Sequence, residues 1–221
     1  MSSDIDDTKL RLLETAGAVF AEKGYRAATV REICQRASVN LAAVNYHFGD
    51  KERLYIESVK RAHFCRGQHV PPPSWPDGTA PEDKLRDVIR AILERMLAAP
   101  DTAWHGQLMM RELQQPTAAC AELVRDYMRP HFDLIRSILG ELLPDSIGDD
   151  KLRLIAFGIV GQCLHFRLGR AIIGMLTPPE EFRRYQAGYL AEHVASWTLA
   201  AVDGLRLRAE QRLRAEQGVD R

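Results

Sequence analysis

Paired cysteines are missing. Cys34, Cys65, Cys120 and Cys163 are scattered, with no CxxC pair and no Cys/His metal-ligand spacing. They read as reduced, mostly buried thiols of a cytoplasmic protein with no metal site. Long apolar runs are missing as well, and none approaches the roughly 20 residues of a membrane span. The opening MSSDIDD is polar and acidic, so no secretory leader is expected. No stretch alternates β-branched with polar residues, so no sheet is expected. There is also no nucleophile–base constellation, no paired His/Glu helix motif and no phosphate-cradling glycine loop. The chain therefore does not read as an enzyme, and no cofactor is implied.

Net charge is absent overall but not locally. The 221 residues sum to zero. Thr8 to Val70 holds 11 Lys and Arg against 6 Asp and Glu, while residues 71–221 hold 19 against 21. An N-terminal excess of positive charge suits an anionic partner.

Helical periodicity is what the sequence does contain. Leu12, Leu13, Ala16, Val19 and Phe20 recur at three- and four-residue spacing, which marks the buried face of a first helix. Gly24 should end it. Thr29 with Glu32 reads as a capping box opening a second, short helix to about Arg36, with Val30, Ile33 and Ala37 inward. After Ser38-Val39-Asn40, a third short helix spans about Leu41 to His47. Gly49-Asp50 stops it, and Asp50 can cap a fourth from Lys51 to about Gly67. VPPPSWPDGTAPED carries five prolines and cannot sit inside a helix. The domains therefore read as 1–69, including the connecting helix 51–67, a linker over 70–81, and a second domain over 82–221. That second part reads as helices near 82–98, 103–114, 117–142, 150–175 and 180–216. Pro130 should kink or split the third of these, and Gly158, Gly161, Gly169 and Gly174 weaken the fourth, either for close helix–helix contact or for a break near Gly169. The fold class is all-α.

Two short helices joined by about four residues have the layout of a helix-turn-helix, whose second helix enters the DNA major groove. Ala42 and Ala43 keep that helix slim, while Val44 and Phe48 hold it to its neighbours. Asn40, Leu41, Asn45, Tyr46 and His47 remain on or near the outer face. Asparagine can bond adenine and an apolar side chain can touch a thymine methyl. Tyr46, His47 and Lys51 suit phosphate oxygens.

GYRAATVREICQRASVNLAAVNYHFGDKERLY, preceded by LLETAGAVFAEKGY, resembles the DNA-binding domain of the TetR/AcrR transcriptional regulators. The resemblance implies an all-α homodimer with a helix-turn-helix domain and a larger C-terminal helical bundle for ligand binding and dimerisation. It implies a cytoplasmic, ligand-responsive regulator, most often a repressor. Its partners would be a double-stranded, near-palindromic operator and a small-molecule effector. Carried over by position, Thr29, Asn40, Leu41, Ala42, Ala43, Tyr46, His47 and Lys51 would face DNA. The family usually has glycine in place of Ala42 and often tyrosine in place of Asn45, so Asn45 either reads a base or contributes nothing. RELQQPTAA, the Arg129-Pro130 break and HFRLGRAII look like the CecR-like branch.

A ligand cavity, as the resemblance implies, would draw its lining from Trp104, Met109, Arg111, Tyr127, Phe157, His165 and Phe166; ordinary core is the other reading of the aromatics. Arg111, Arg167 and His165 need partners near an apolar face: an internal acid such as Glu112, or an anionic effector. Tyr189, His193, Trp197 and Ala200 form a stripe suited to a dimer seam with the 150–175 segment, or to packing within one subunit. RLRAEQ occurs twice, at Arg206–Gln211 and Arg212–Gln217. A six-residue step turns an α-helix by about 600°, so Leu207 and Leu213 do not share a seam. The tail reads as a solvated helix extension with a Glu210–Arg214 pair. Two rivals remain: a helical small-molecule-binding or interaction protein without DNA binding, and a small all-α enzyme.

Overall fold

The computed structural model describes residues 2–63, 72–97 and 103–219. The expected end of the fourth helix at Gly67, Cys65, and Val70 and Pro71 of the linker lie outside them. No strand occurs among the described residues, and no helix there is long and apolar enough to cross a membrane. By packing, the chain divides into two units: Met1–Val70 with Ala99–Met128, and Pro71–Ala98 with Arg129–Arg221. The expected division at the prolines follows the chain. The packing division returns to the N-terminal helices for residues beyond the linker.

The first unit holds α1 (Ser2–Ala27), α2 (Val30–Ala37), α3 (Leu41–Phe48), α4 (Lys51–His63), α6 (Ala103–Gln114) and α7 (Ala118–Leu123). A π-helical turn, Val124–Met128, follows α7. Leu12, Ala16, Val19 and Phe20 of α1 are completely buried, as their spacing requires. They pack with Ile33, Val44, Leu54, Val59, Leu108 and Leu123. Gly24 interrupts α1 as expected, with φ 79° and ψ 168°, a conformation that costs glycine little. Phe20 meets Tyr55 edge-on at 4.8 Å, and Tyr55 meets Tyr25 at 4.9 Å.

Gly17 makes an approach that the periodicity did not flag. A Cβ there would stand 2.3 Å from the Trp104 ring, so the indole lies directly on the α1 backbone. The ring N–H donates to Glu14 at 3.3 Å. Gly17→Ala should destabilise the protein by roughly 1–3 kcal/mol through overpacking, against the small gain alanine usually gives a helix. Urea unfolding checks this: a variant as stable as the parent would show that Trp104 moves aside freely.

The second unit holds α5 (Pro81–Leu97), α8 (Arg129–Leu142), α9 (Asp149–Leu168), α10 (Arg170–Leu176), α11 (Pro179–Phe182) and α12 (Ala187–Val219). Its core joins Leu85, Ile89 and Leu93 of α5 to Ile135 and Leu139 of α8, Ala156 and Cys163 of α9, and Val194 and Ala195 of α12. The helix expected over 117–142 is three pieces. Proline lacks an N–H and its ring crowds the carbonyl four residues back, here that of Asp126. The π-helical turn just before Pro130 widens the backbone at that point. Gly169 divides α9 from α10, the second of the two roles open to it. The helix expected from 180 does not start there: α11 ends at Phe182, and α12 begins at Ala187. At the far end α12 continues to Val219, with Leu207 and Leu213 exposed and the expected Arg214–Glu210 pair at 3.7 Å.

Candidate nucleic-acid interface

Local rules build the helix-turn-helix. The Thr29 hydroxyl accepts from the Glu32 N–H at 3.2 Å and opens α2. The Glu32 carboxylate does not reach back to complete the box; it meets Lys23 and Arg36, each at 2.7 Å. Ser38 takes a left-handed conformation, φ 54°, and its N–H closes α2. Asn40 then opens α3, its Oδ1 accepting from the Ala43 N–H at 3.0 Å. Gly49, φ 83°, ends α3. Asp50 caps α4 by accepting from the Arg53 N–H at 2.7 Å.

This scaffold fixes which side chains face outward. Val44 and Phe48 are buried, so α3 is anchored by one face. Leu41 is 56% and Tyr46 75% exposed, and Ala42 and Asn45 are exposed as well. Leu41 and Tyr46 are large side chains to leave in water unless something covers them. Ala43 and His47 are half-buried at the edges of the same face. The His47 ring stands edge-on to Tyr46 at 4.9 Å. Lys51 lies over the Tyr25 ring, 4.7 Å from its centre, and meets no carboxylate within ion-pair distance among the described residues. Burial, then the Glu52 and Asp50 carboxylates, pushes the Tyr25 hydroxyl upward, so the ring beneath that ammonium stays neutral.

Asn40 is more constrained than its sequence position suggests. A bidentate contact with adenine uses the amide oxygen and nitrogen together. Here the oxygen is engaged by α3 itself, which leaves the amide N–H2 to donate. Asn45 has no such engagement among the described residues.

Charge pairing separates spent cations from available ones. Lys23 and Arg36 are neutralised by Glu32 and Glu22. The hydrogen bond from Arg36 holds the Glu22 carboxyl below its ordinary range, and that from Lys23 does the same to Glu32. Arg53 and Lys60 share Glu57 and Glu122. Arg26 and Arg31 are exposed and carry no ion pair among the described residues. Sequence reading passed over both. Arg31 had a legible signal, since no acid stands three or four residues from it. With Cys34, Gln35, Val39 and Leu41 it lines a notch of about 530 Å³ at the helix-turn-helix.

The effector candidates are divided between the two units. Trp104, Met109 and Tyr127 pack on the first unit's core. Arg111 does not pair with Glu112. Its Nε donates to the Ala21 carbonyl at 2.7 Å and its Nη2 to that of Glu22 at 2.8 Å, so it closes the orphan carbonyls near the end of α1. A shallow groove of about 730 Å³ beside it takes in Met110 and Gly106 but none of the three aromatic and methionine candidates. Phe157, His165 and Phe166 belong to the second unit. Phe157 is 59% exposed, its ring 4.6 Å from Phe132. His165 is exposed, and Phe166 packs partly on the core. Among the described residues no group of His, Cys, Asp and Glu could hold a metal ion. Cys34 and Cys163 are buried free thiols and Cys120 a half-buried one.

Residues 12–57 match the family described as bacterial regulatory proteins, tetR family, and residues 81–205 match the C-terminal domain of the HTH-type transcriptional dual regulator CecR. The chain is 27% identical to CecR of Shigella flexneri over 182 residues, 78% of this chain and 81% of that protein. It is 33% identical to the HTH-type transcriptional repressor AcnR of Corynebacterium efficiens over 88 residues, 40% of this chain and 42% of AcnR. Among solved structures, the hemolysin II transcriptional regulator HlyIIR superposes with a TM-score of 0.55 at 20% identity, covering 87% of this chain and 97% of HlyIIR. AibR, solved with isovaleryl coenzyme A and operator DNA, superposes with a TM-score of 0.52 at 15% identity, covering 86% and 97%. At such identities the structural likeness establishes the fold alone.

Proposed function

We propose, from the premise that this chain belongs to the TetR family of transcriptional regulators with a CecR-type C-terminal domain, that it grips a near-palindromic operator as a homodimer and is released by a small-molecule effector. It is a DNA-binding transcriptional regulator, in a family of regulators rather than enzymes. One observation carries the finer reading: α3 is pinned by Val44 and Phe48 while Leu41, Ala42, Asn45 and Tyr46 stay uncovered. Repression is the sign suggested by AcnR's name, and cytoplasm the expected location. Residues 1–69 would serve DNA binding and 82–221 effector binding and dimerisation.

Two copies would set their α3 helices in successive major grooves, about 34–36 Å apart or somewhat more. The exposed stripe on α12 supports such pairing: Tyr189 is 57% and Trp197 61% exposed, with His193 and Ala200 also outward. Leu154 and Phe157 give α9 a similar outer face. An apolar surface of that kind marks an interface. Phe157 therefore fits the subunit seam better than an effector cavity. Thr29, Arg26, Arg31, Tyr46, His47 and Lys51 would contact phosphates, and Asn45 would read a base.

Lys51→Ala should weaken binding to every duplex and reduce the salt slope by about one, because it removes one neutralised phosphate. Affinity measured across a salt series tests this, and a loss confined to one base position would refute the phosphate role. Asn45→Ala should relax preference at a single position, by roughly 1–3 kcal/mol if the contact is bidentate. Selection from a randomised duplex library is the readout, and an unchanged consensus would remove Asn45 from base reading. Failure of the parent protein to footprint DNA upstream of its own gene would count against the operator reading itself.

A further inference from the structure

The second unit contains a guanidinium that meets no anion among the described residues. Arg95 lies in the last turn of α5 and is half-buried. Some arginines of this unit meet carboxylates: Arg86 meets Asp83 at 3.3 Å, Arg136 meets Asp133 at 3.0 Å, and Arg206 meets Asp203 at 3.3 Å. Arg95 has no carboxylate within ion-pair distance among the described residues. Its Nη1 stands 3.1 Å from Nε2 of His131, in the first turn of α8. A guanidinium can only donate, so that nitrogen accepts and carries no proton. An imidazole brings no negative charge to that contact. Burial accordingly lowers the pKa of Arg95.

A second cation reaches the same end of α5. Arg167, in the last turn of α9, donates to the carbonyl of Met96. The helix end offers its own compensation, equivalent to about half a negative charge. That is not enough for two guanidiniums. Met96, next to Arg95 in the chain, Phe132, next to His131, and Phe166, next to Arg167, are each partly buried against the core. Apolar walls with a few convergent cations are the general character of a site for a small organic anion.

We propose that Arg95, oriented by His131 and with Arg167 at the same helix end, receives the carboxylate of an amphipathic organic acid whose apolar part lies against Met96, Phe132 and Phe166. This rests on the reading that an effector binds the C-terminal domain, and it assigns that effector a chemical class. The planar fork of Arg95 is spent on one nitrogen only, which leaves donors for a bidentate carboxylate contact.

The test uses the full chain with decanoate and with decan-1-ol, its neutral counterpart, below the concentration at which decanoate forms micelles. Decanoate should raise the melting temperature saturably, and decanol should do so much less. Arg95→Met should weaken decanoate binding on the order of tenfold to a hundredfold while leaving the decanol response unchanged. Unliganded Arg95→Met should melt close to the parent, because removing a charge with no carboxylate beside it offsets the acceptor left without a donor at His131. Arg95→Lys, which keeps the charge without the fork, should bind decanoate with intermediate affinity. Equal responses to decanoate and decanol, no saturation by decanoate, or parental decanoate affinity in both variants would overturn the site. Operator band shifts separate the two readings. Arg95-dependent decanoate binding that leaves operator affinity unchanged sustains the site and removes ligand-responsive release. Release driven equally by decanol does the opposite.

Discussion

Replacing Ala42 with glutamate should abolish operator binding and leave the fold intact. Ala42 is exposed in the first turn of α3, so the longer side chain displaces no core. An acidic residue near a helix N-terminus is favourable, by about 0.3–1 kcal/mol, so α3 itself should be slightly firmer. The same carboxylate would stand where the helix must approach base edges between two rows of phosphates. Misplaced like charge at an interface costs several kcal/mol, so a loss of at least about a hundredfold is expected. Fluorescence anisotropy on an operator duplex gives the affinity, and a thermal melt gives the stability. Binding within a few-fold of the parent would mean that α3 does not lie in a groove.

The second large effect concerns stability. Glu112 is 1% exposed. It accepts from the Tyr55 hydroxyl at 2.5 Å, the Thr117 N–H at 3.1 Å and the Thr117 hydroxyl at 3.0 Å. One carboxylate therefore joins α4, α6 and the cap of α7. Glu112→Ala would take the acceptor from the buried Tyr55 hydroxyl and from two part-buried donors of Thr117, and open a void. At about 1–3 kcal/mol for a buried orphan and less for the part-buried pair, the expected loss is roughly 2–5 kcal/mol, a large share of a typical 5–15 kcal/mol. Tyr55→Phe should cost less, since Thr117 keeps its acceptor. Unfolding of both single variants and the double gives the coupling. A Glu112→Ala protein within experimental error of the parent would show that this junction is held by packing alone. Burial first, then the Glu112 hydrogen bond, raises the Tyr55 hydroxyl well above its ordinary value. Its folded state holds the proton longer than its unfolded state. That contribution is complete below the usual tyrosine range near pH 10 and is lost progressively as pH rises beyond it.

The sequence disclosed what neighbours in the chain decide. Thr29 and Asp50 cap helices because a side-chain oxygen reaches an N–H three residues on. Val44 and Phe48 turn inward because they lie one helical turn apart. Asn40 follows the same local rule, its oxygen reaching the Ala43 N–H three residues on. Partnerships across long chain separations were not legible. Glu112 was offered to Arg111, its neighbour, whereas its partner Tyr55 is 57 positions away. Nothing in the α1 pattern singles out Gly17, because Trp104 is what requires it. Arg95 carries no mark in the sequence, because a charge without a carboxylate beside it is recognisable only once its neighbours in space are known.

The double duty of Asn40 bears on how such a protein could acquire a new target. A residue that starts its own helix is confined to asparagine, aspartate, serine or threonine if the fold is to keep about 1 kcal/mol of capping. Asn45 carries no such obligation. Divergence toward a foreign promoter should therefore run through position 45, while position 40 drifts within a four-letter alphabet.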